Sequence, residues 1–251
     1  MSEETPVIEV TDLVREFNGR RVLNGLSFKV MKGDTMIIMG GSGCGKSTLL
    51  RHIIGAMKPT SGSVKLFGEE ITGMKEEELA HVRRRFGMLF QSGALLQSLT
   101  VGENVALPII EHGKLDPSIV DLMVKMKLEM VGLTGFENLK PAEISGGMKK
   151  RVGLARAIVT KPACILYDEP TTGLDPIVAD SINWLIRRLQ KRLHVTSIVV
   201  THDMKSAFHV ADRIAYLHEG KIYFQGSPEE MRRSTDPLIR DFIEGRSGDS
   251  D

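Results

Sequence analysis

The residues from Gly40 to Thr48, GGSGCGKST, have the composition and spacing of a phosphate-binding loop. They follow an apolar run, TMIIM, and precede a helical pattern, STLLRHIIGAM. Glycines let backbone N–H groups approach phosphate oxygens closely, the Lys46 ammonium supplies a positive charge toward the outer phosphates, and the Ser47 hydroxyl can ligate Mg²⁺. The stretch therefore predicts a phosphate site, and an ordinary glycine-rich turn is the alternative.

Two carboxylates and a histidine end other apolar runs. Asp168 and Glu169 close CILYDEP, and His202 closes SIVVTHD. We expect Asp168 to be a partner of Mg²⁺, directly or through another group, and Glu169 to polarise an attacking water. His202 could hydrogen-bond a γ-phosphate, although a histidine considered alone is more often structural. A solvated turn is the alternative for the two acids.

A second candidate anion site lies in ISGGMKK, residues 144–150. Ser145, Gly146 and Gly147 precede a helix-forming basic run, so backbone N–H groups and the positive end of the helix dipole would be open to an anion. The chain already has a complete phosphate loop at 40–48. The sequence thus raises the question of which phosphate the second site would bind.

Composition narrows the class of protein. The 251 residues include 33 Lys and Arg against 32 Asp and Glu, so the basic face of a general nucleic-acid binder is not expected. Cys44 and Cys164 lack metal-ligand spacing and no leader precedes Val7, which predicts a reduced, cytosolic chain without disulfides. The longest uncharged stretch, residues 86–102, is broken by polar residues and is shorter than the ~20 apolar residues of a membrane span.

The hydrophobic pattern predicts two kinds of strand. Residues 7–30 and 62–71 show near-alternating apolar positions and glycine turns, which indicates antiparallel pairing. The runs 35–40, 164–170 and 197–203 are mainly apolar and precede helical patterns, as expected for strands buried on both faces of a parallel sheet.

Other segments complete the predicted architecture. Residues 92–160 show helical spacing without strand signals, which predicts an inserted helical lobe, and residues 245–251 are polar enough to form a loose tail. The fold class predicted for the single domain 1–251 is α/β, with a parallel core, an antiparallel β subdomain and the helical lobe.

The motifs GGSGCGKST, Gln91, ISGGM, ILYDEP, GLDP and VVTHD, in this order, resemble those of the nucleotide-binding subunits of ABC transporters over nearly the whole chain. The resemblance implies a P-loop NTPase core and hydrolysis of ATP with Mg²⁺. The implied catalytic residues are Glu169, His202 and Gln91, and the implied Mg²⁺ ligands are Ser47, Gln91 and Asp168. The implied nucleotide-binding residues are Phe17, Gly40, Gly41, Ser42, Gly43, Cys44, Gly45, Lys46, Ser47, Thr48, Ser145, Gly146, Gly147 and Asp175.

Some of these residues have particular expected roles. By the resemblance, Gln91 senses the nucleotide at the hinge of the lobe, Asp175 belongs to the D-loop, and Phe17 stacks on adenine in place of the commoner tyrosine. A core position on a strand is the alternative for Phe17. We also expect the positive potential near Lys46 to favour the thiolate of Cys44, with a small filler as the alternative.

The second anion site is explained if it serves another copy of the chain. Two chains would pack head to tail, and Ser145, Gly146 and Gly147 of one would cap the γ-phosphate held by the other. Hydrolysis would remove the shared contact and let the dimer open. Ile144 and Met148 depart from the usual LSGGQ, and Met148 replaces an amide that could hydrogen-bond.

The segments 89–109 and 234–245 resemble the ATPase subunits of Mla-type phospholipid transporters. The resemblance implies a place at the cytoplasmic face of the inner membrane, bound to a separate transmembrane permease. It also implies an MCE-domain lipid-binding protein and a small STAS-domain protein as partners, and phospholipid movement between the two membranes of a Gram-negative envelope. Two alternatives are an amino-acid-type importer ATPase and a soluble ABC ATPase outside transport.

Overall fold

The computed structural model describes residues 5–113 and 115–246, which form two sheets and the helices packed on them. The strands are β1 (Ile8–Phe17), β2 (Arg20–Val30), β3 (Thr35–Met39), β4 (Ser61–Leu66), β5 (Glu69–Glu70), β6 (Phe86–Leu89), β7 (Cys164–Asp168), β8 (Thr196–Thr201), β9 (Arg213–His218) and β10 (Lys221–Gly226). The helices are α1 (Lys46–Ile53), α2 (Glu76–Arg83), α3 (Val101–His112), α4 (Pro117–Met130), α5 (Gly146–Ile158), α6 (Pro176–Leu193), α7 (Met204–Val210), α8 (Pro228–Arg233) and α9 (Pro237–Glu244), with a short 3₁₀ helix at Pro141–Glu143.

The larger sheet has the order β10-β9-β3-β8-β7-β6, and only the β9–β10 pair is antiparallel among its described strands. Every residue of β3 and β8 is buried, as the prediction of strands covered on both faces requires. The carboxyl ends of β3, β7 and β8 meet at one edge of the sheet. The loops that carry the candidate chemistry are therefore neighbours.

The two faces of this sheet have separate cores, because side chains alternate along each strand. Met36 and Ile38 of β3 pack with α1 and the smaller sheet, whereas Ile37 and Met39 pack with α5 and α6. The smaller sheet, β2-β1-β4-β5, is antiparallel, which confirms the prediction for residues 7–30 and 62–71. It covers the face on which the phosphate-loop helix lies.

Three strands were not predicted from the sequence. Strand β6 is four residues long and lies in an uncharged stretch without a boundary signal, while β9 and β10 form a hairpin outside the segments with a clear pattern. The described residues of 92–160 contain helices and no strand. The lobe bounds remain a prediction.

The helix starts follow local rules. Thr100 and Glu103 form a reciprocal capping box on α3, and Asp175 accepts the N–H groups of Ile177 and Val178 at the start of α6. Helix α9 ends at Gly245 in the left-handed conformation, with φ of 66°. Of the predicted tail, residues 247–251 lie outside the described residues.

Across the described part of the chain, every helix is too short or too polar to pass through a lipid bilayer.

Candidate functional site

The loop 40–48 joins β3 to α1 and depends on glycine at two positions. A Cβ on Gly40 would lie 2.3 Å from the Leu217 carbonyl oxygen, so the loop could not pass this close to β9 with a larger residue. Gly45 precedes α1 with φ of 107°, and a Cβ there would lie 2.7 Å from Leu23 Cδ2. The sequence therefore folds here into a tight turn that directs backbone N–H groups outward.

Lys46 begins α1 and its side chain lies within the loop. Its Nζ donates to the carbonyls of Gly40 and Gly41 at 2.8 and 2.9 Å. In the described chain no side chain caps the start of α1, so the N–H groups of its first turn are open to an anion. The uncapped helix and the nearby ammonium fit a bound phosphate chain.

The expectation of a Cys44 thiolate is wrong. The Sγ atom lies 3.9 Å from Lys46 Nζ, but the residue is half-buried. Burial raises the pKa of the Cys44 thiol, and the attraction of Lys46 only opposes that shift. Loss of solvation outweighs the nearby charge, so the thiol is neutral.

Glu169 follows β7 in a conformation that non-glycine residues rarely adopt, with φ of 48°. Its N–H donates to Val200 O at 2.9 Å, which attaches the turn to β8. Its Oε1 lies 2.9 Å from His202 Nδ1, and its Oε2 accepts from the Thr172 hydroxyl at 3.1 Å. The carboxylate is thus held by partners on two loops.

Asp168 is the last residue of β7 and is half-buried. Burial, together with the Glu169 carboxylate, raises the pKa of Asp168, while Lys150, Arg51 and Lys46 oppose that shift. Its carboxylate and the Ser47 hydroxyl are oxygen donors of the kind that Mg²⁺ prefers. The donor chemistry therefore fits a magnesium ion.

A cleft of about 530 Å³ brings half of the predicted site residues together. The phosphate loop forms one side of the cleft. The rest of the lining consists of Gln91, Glu169, His202 and Val22. Val22 was not predicted, because a single apolar residue on a strand carries no functional signal. The predicted loop residues that line the cleft are Ser42, Gly43, Gly45, Lys46, Ser47 and Thr48.

Lys150 is a second residue that sequence reasoning missed. It is buried on α5, and its ammonium donates to the carbonyl of Gln91 and, at 3.2 Å, to that of Glu169. Burial lowers the pKa of Lys150, and the carboxylates of Asp168 and Glu169 counteract the shift. The residue holds two cleft segments together, and its position in a basic helical run gave no sign of this.

The predicted residues Ser145, Gly146 and Gly147 do not line this cleft. The Ser145 hydroxyl caps α5 by accepting Met148 N–H at 3.2 Å, and Gly146 is exposed. A Cβ on Gly147 would lie 2.5 Å from Val178 Cγ1, so glycine is needed where α5 meets α6. The second candidate anion site is therefore on a different surface of the same chain.

Six other predicted residues do not line the cleft, namely Gly40, Gly41, Cys44, Asp168, Asp175 and Phe17. Asp175 is exposed and caps α6 beside the start of α5. Phe17 ends β1, and the Arg15 guanidinium lies 4.4 Å from the centre of its ring. The ring is exposed and is not a core residue.

The fold and the site define a class of protein, the P-loop ATPases of the ABC type. The family model for ABC transporters matches residues 23–172, and the chain belongs to that family. The predicted fold class is confirmed.

Individual relatives extend the match over nearly the whole chain. The intermembrane phospholipid transport system ATP-binding protein MlaF of Haemophilus influenzae is 42% identical over 241 residues, which cover 96% of this chain and 91% of that protein. Its Escherichia coli counterpart is 41% identical over 239 residues, covering 95% and 89%. A solved dimeric ATP-binding cassette in a post-hydrolysis state, bound to ADP and Pi, is 32% identical with a TM-score of 0.80, covering 88% of this chain and 98% of the other.

Proposed function

We propose that this chain is the ATP-hydrolysing subunit of a transporter that moves phospholipid between the inner and outer membranes. The observation that carries the cargo assignment is the 42% identity to a phospholipid transport ATP-binding protein over 96% of the chain. Membership of the ABC transporter family and the cleft described above account for the ATPase itself.

In the proposed mechanism the loop 40–48 holds the phosphates of ATP. Lys46 would exchange its bonds to the loop carbonyls for phosphate oxygens, and the first turn of α1 would donate its free N–H groups. Mg²⁺ would be held by Ser47, Gln91 and Asp168, and it would neutralise charge on the phosphates. Phe17 would stack on adenine.

Glu169 and His202 would act on the terminal phosphate. The Glu169 carboxylate would accept a hydrogen bond from the attacking water and orient it, since both of its oxygens are already held in place. His202 would donate to the γ-phosphate, since its exposed side chain lines the same cleft. Gln91 would report nucleotide to the helical lobe, predicted at 92–160.

The active unit in this proposal is a pair of chains. Ser145, Gly146 and Gly147 lie outside their own cleft, so they can contact a γ-phosphate only in a second copy. A similar solved cassette is dimeric and holds ADP and Pi, which supports this arrangement. Asp175, beside the start of α5, would lie at the same interface.

The transmembrane work is assigned to separate chains at the cytoplasmic face of the inner membrane. Phe90 and Leu96 are exposed apolar residues on either side of Gln91, which supports docking of a permease next to the nucleotide sensor. An MCE-domain lipid-binding protein and a small STAS-domain protein complete the proposed complex.

A strain carrying Lys46→Ala tests the cargo. We expect the complex to assemble without turnover, outer-membrane permeability to detergent to rise, and amino-acid uptake to stay normal. Lys32→Ala, an exposed lysine away from the cleft, is the matched control. Normal permeability with impaired uptake of one solute would replace the phospholipid assignment with the small-solute importer, and co-purification with ribosomes or DNA would indicate a soluble ABC ATPase.

A further inference from the structure

The outer face of α6 exposes large apolar side chains that the nucleotide site does not use. Trp184, the only tryptophan of the chain, is 61% exposed, and Ile177 is 82% exposed. Arg188 and Lys191 continue the same helical stripe. Tryptophan is enriched at the centres of protein interfaces, so a stripe that is apolar at one end and cationic at the other indicates a binding surface.

This stripe forms the floor of a groove of about 900 Å³. Arg151 of α5 forms part of its wall, and its guanidinium donates to Val131 O at 2.9 Å and to Ser181 Oγ at 3.4 Å. Arg188 donates to Met130 O at 3.1 Å. The bonds to Val131 and Met130 fix both guanidinium groups to the end of α4 before any partner binds, which lowers the entropic cost of docking.

The charge of the groove differs from that of the chain. Five cations line it against one acid, Asp180, although the whole chain has a net charge of only +1. Arg187 is paired with Asp212 at 2.8 Å, but the other four cations have no ion-pair partner among the described residues. Burial lowers the pKa of Lys127, and the charges of Lys161 and Arg192 lower it further. Unpaired like charges of this kind favour an anionic partner.

We propose that the α6 groove binds an acidic amphipathic helix of a partner protein. The apolar side of that helix would lie on Ile177 and Trp184, and its carboxylates would face Arg188, Lys191 and Arg192. The stripe from Ile177 to Lys191 extends over about 20 Å, enough for roughly four helical turns. A recessed groove with an apolar end suits a helix better than a flat lipid surface or a nucleic-acid backbone.

The groove shares no lining residue with the nucleotide cleft, so this inference can fail independently of the proposed function. Arg151, which forms part of the groove wall, lies on α5, and Ser145 caps the start of the same helix. A helix bound across α5 and α6 would restrain the movement of the second anion site, which gives the partner a route to regulate turnover.

Carbodiimide coupling tests the proposal, because it joins a lysine amine to a carboxylate in direct contact. Membranes containing the full complex are treated, and peptides attached to Lys191 are mapped by mass spectrometry. We expect an adduct to Asp or Glu in a helical segment with apolar residues at three- and four-residue spacing. Lys191→Arg keeps the charge and should remove the adduct, and Arg192→Glu should lower its yield about tenfold. Lys221→Glu, on β10, should leave it unchanged.

Three outcomes would overturn the proposal. One is the absence of any Lys191 adduct, and another is an adduct only to acids of a second copy of this chain. The third uses the fluorescence of Trp184 in the purified chain: a shift to shorter wavelength with vesicles of anionic phospholipid alone would assign the groove to a membrane surface. If the vesicles leave the emission unchanged and the mapped adduct is found, the protein partner is supported.

Discussion

Two glycine-rich helix starts, those of α1 and α5, differ in what surrounds them. Helix α1 begins after Gly45 without a side-chain cap, and Lys46, Glu169 and His202 face the same cleft. Helix α5 begins after Ser145, which caps it, and its glycines line no part of that cleft. The first start therefore combines open N–H groups with a lysine and a carboxylate in one cleft, and we propose that the second start supplies N–H groups to a phosphate held by another copy.

From this difference we infer that the α5 start is only one part of a binding site. A helix N-terminus attracts an anion, but catalysis also needs a charge and a general base at the same phosphate. Among the described residues, Lys46 and Glu169 line the cleft at the α1 start, and the α5 glycines do not. Variants that change one helix start and leave the other intact therefore test whether a second copy completes the site at the start of α5.

The largest effect is expected from Glu169→Gln. Removal of the carboxylate should lower ATP hydrolysis by about 10²- to 10⁴-fold while ATP binding is kept, because the neutral amide of glutamine cannot polarise the water or take its proton. Light scattering should show a stable dimer with MgATP, since the γ-phosphate contact is no longer removed. Glu229→Gln, on an exposed position of α8, is the control. A variant with the same mass with and without ATP would contradict the shared site.

Lys46→Ala should have the next largest effect. The variant loses the only charged group of the loop, and affinity for ATP should fall by about 10- to 100-fold through the loss of a charge-assisted hydrogen bond. Binding is measured with a fluorescent ATP analogue, with Lys32→Ala as the control. Unchanged affinity would show that the N–H groups of α1 are enough to bind ATP. The charge of Lys46 would then not explain the difference between the α1 and α5 starts.

How much of this site the sequence predicts depends on how the residues are positioned. Glu169 and His202 follow apolar runs that are parallel strands, so their meeting near Lys46 follows from sheet geometry. Val22 and Lys150 reach the cleft through packing between distant segments, which leaves no local pattern. For Cys44 the sequence left a thiolate and a small filler open, because burial cannot be estimated from a neighbouring charge.

The α5 glycines provide a matched pair of smaller effects. A Cβ on Gly146 would meet only Leu174 Cδ2 at 3.7 Å, an ordinary contact, so Gly146→Ala should fold normally. It should still lower turnover about tenfold by holding the partner's phosphate away from the backbone. Gly147→Ala should instead destabilise the fold by about 1–3 kcal/mol, because the new Cβ overlaps Val178. Thermal unfolding measures the loss of stability and ATPase assays measure turnover, so together they separate the two variants. Full turnover in Gly146→Ala would show that the start of α5 does not contact the phosphate.

The smallest effect concerns acid and only the α1 side of the comparison. His52, near the end of α1, is 1% exposed, and its Nδ1 lies 2.7 Å from Thr48 O. Burial lowers the pKa of His52 below its ordinary 6.5, and Arg15 adds to the shift, so the folded chain holds the neutral ring. Above about pH 6.5 the His52 ring is neutral in both the folded and the unfolded chain, and its contribution to stability is fully present. As the pH falls from there toward the lower pKa of the folded chain, the unfolded chain binds a proton first, and this stability is lost.

Hydrogen exchange, corrected for intrinsic rates, should therefore show α1 opening more often at pH 5 than at pH 7.5, and His52→Gln should reduce that dependence. Helix α5 contains no histidine, so the same acid dependence is not expected there. Equal acid sensitivity in α1 and α5 would mean that the two helix starts are not separately stabilised.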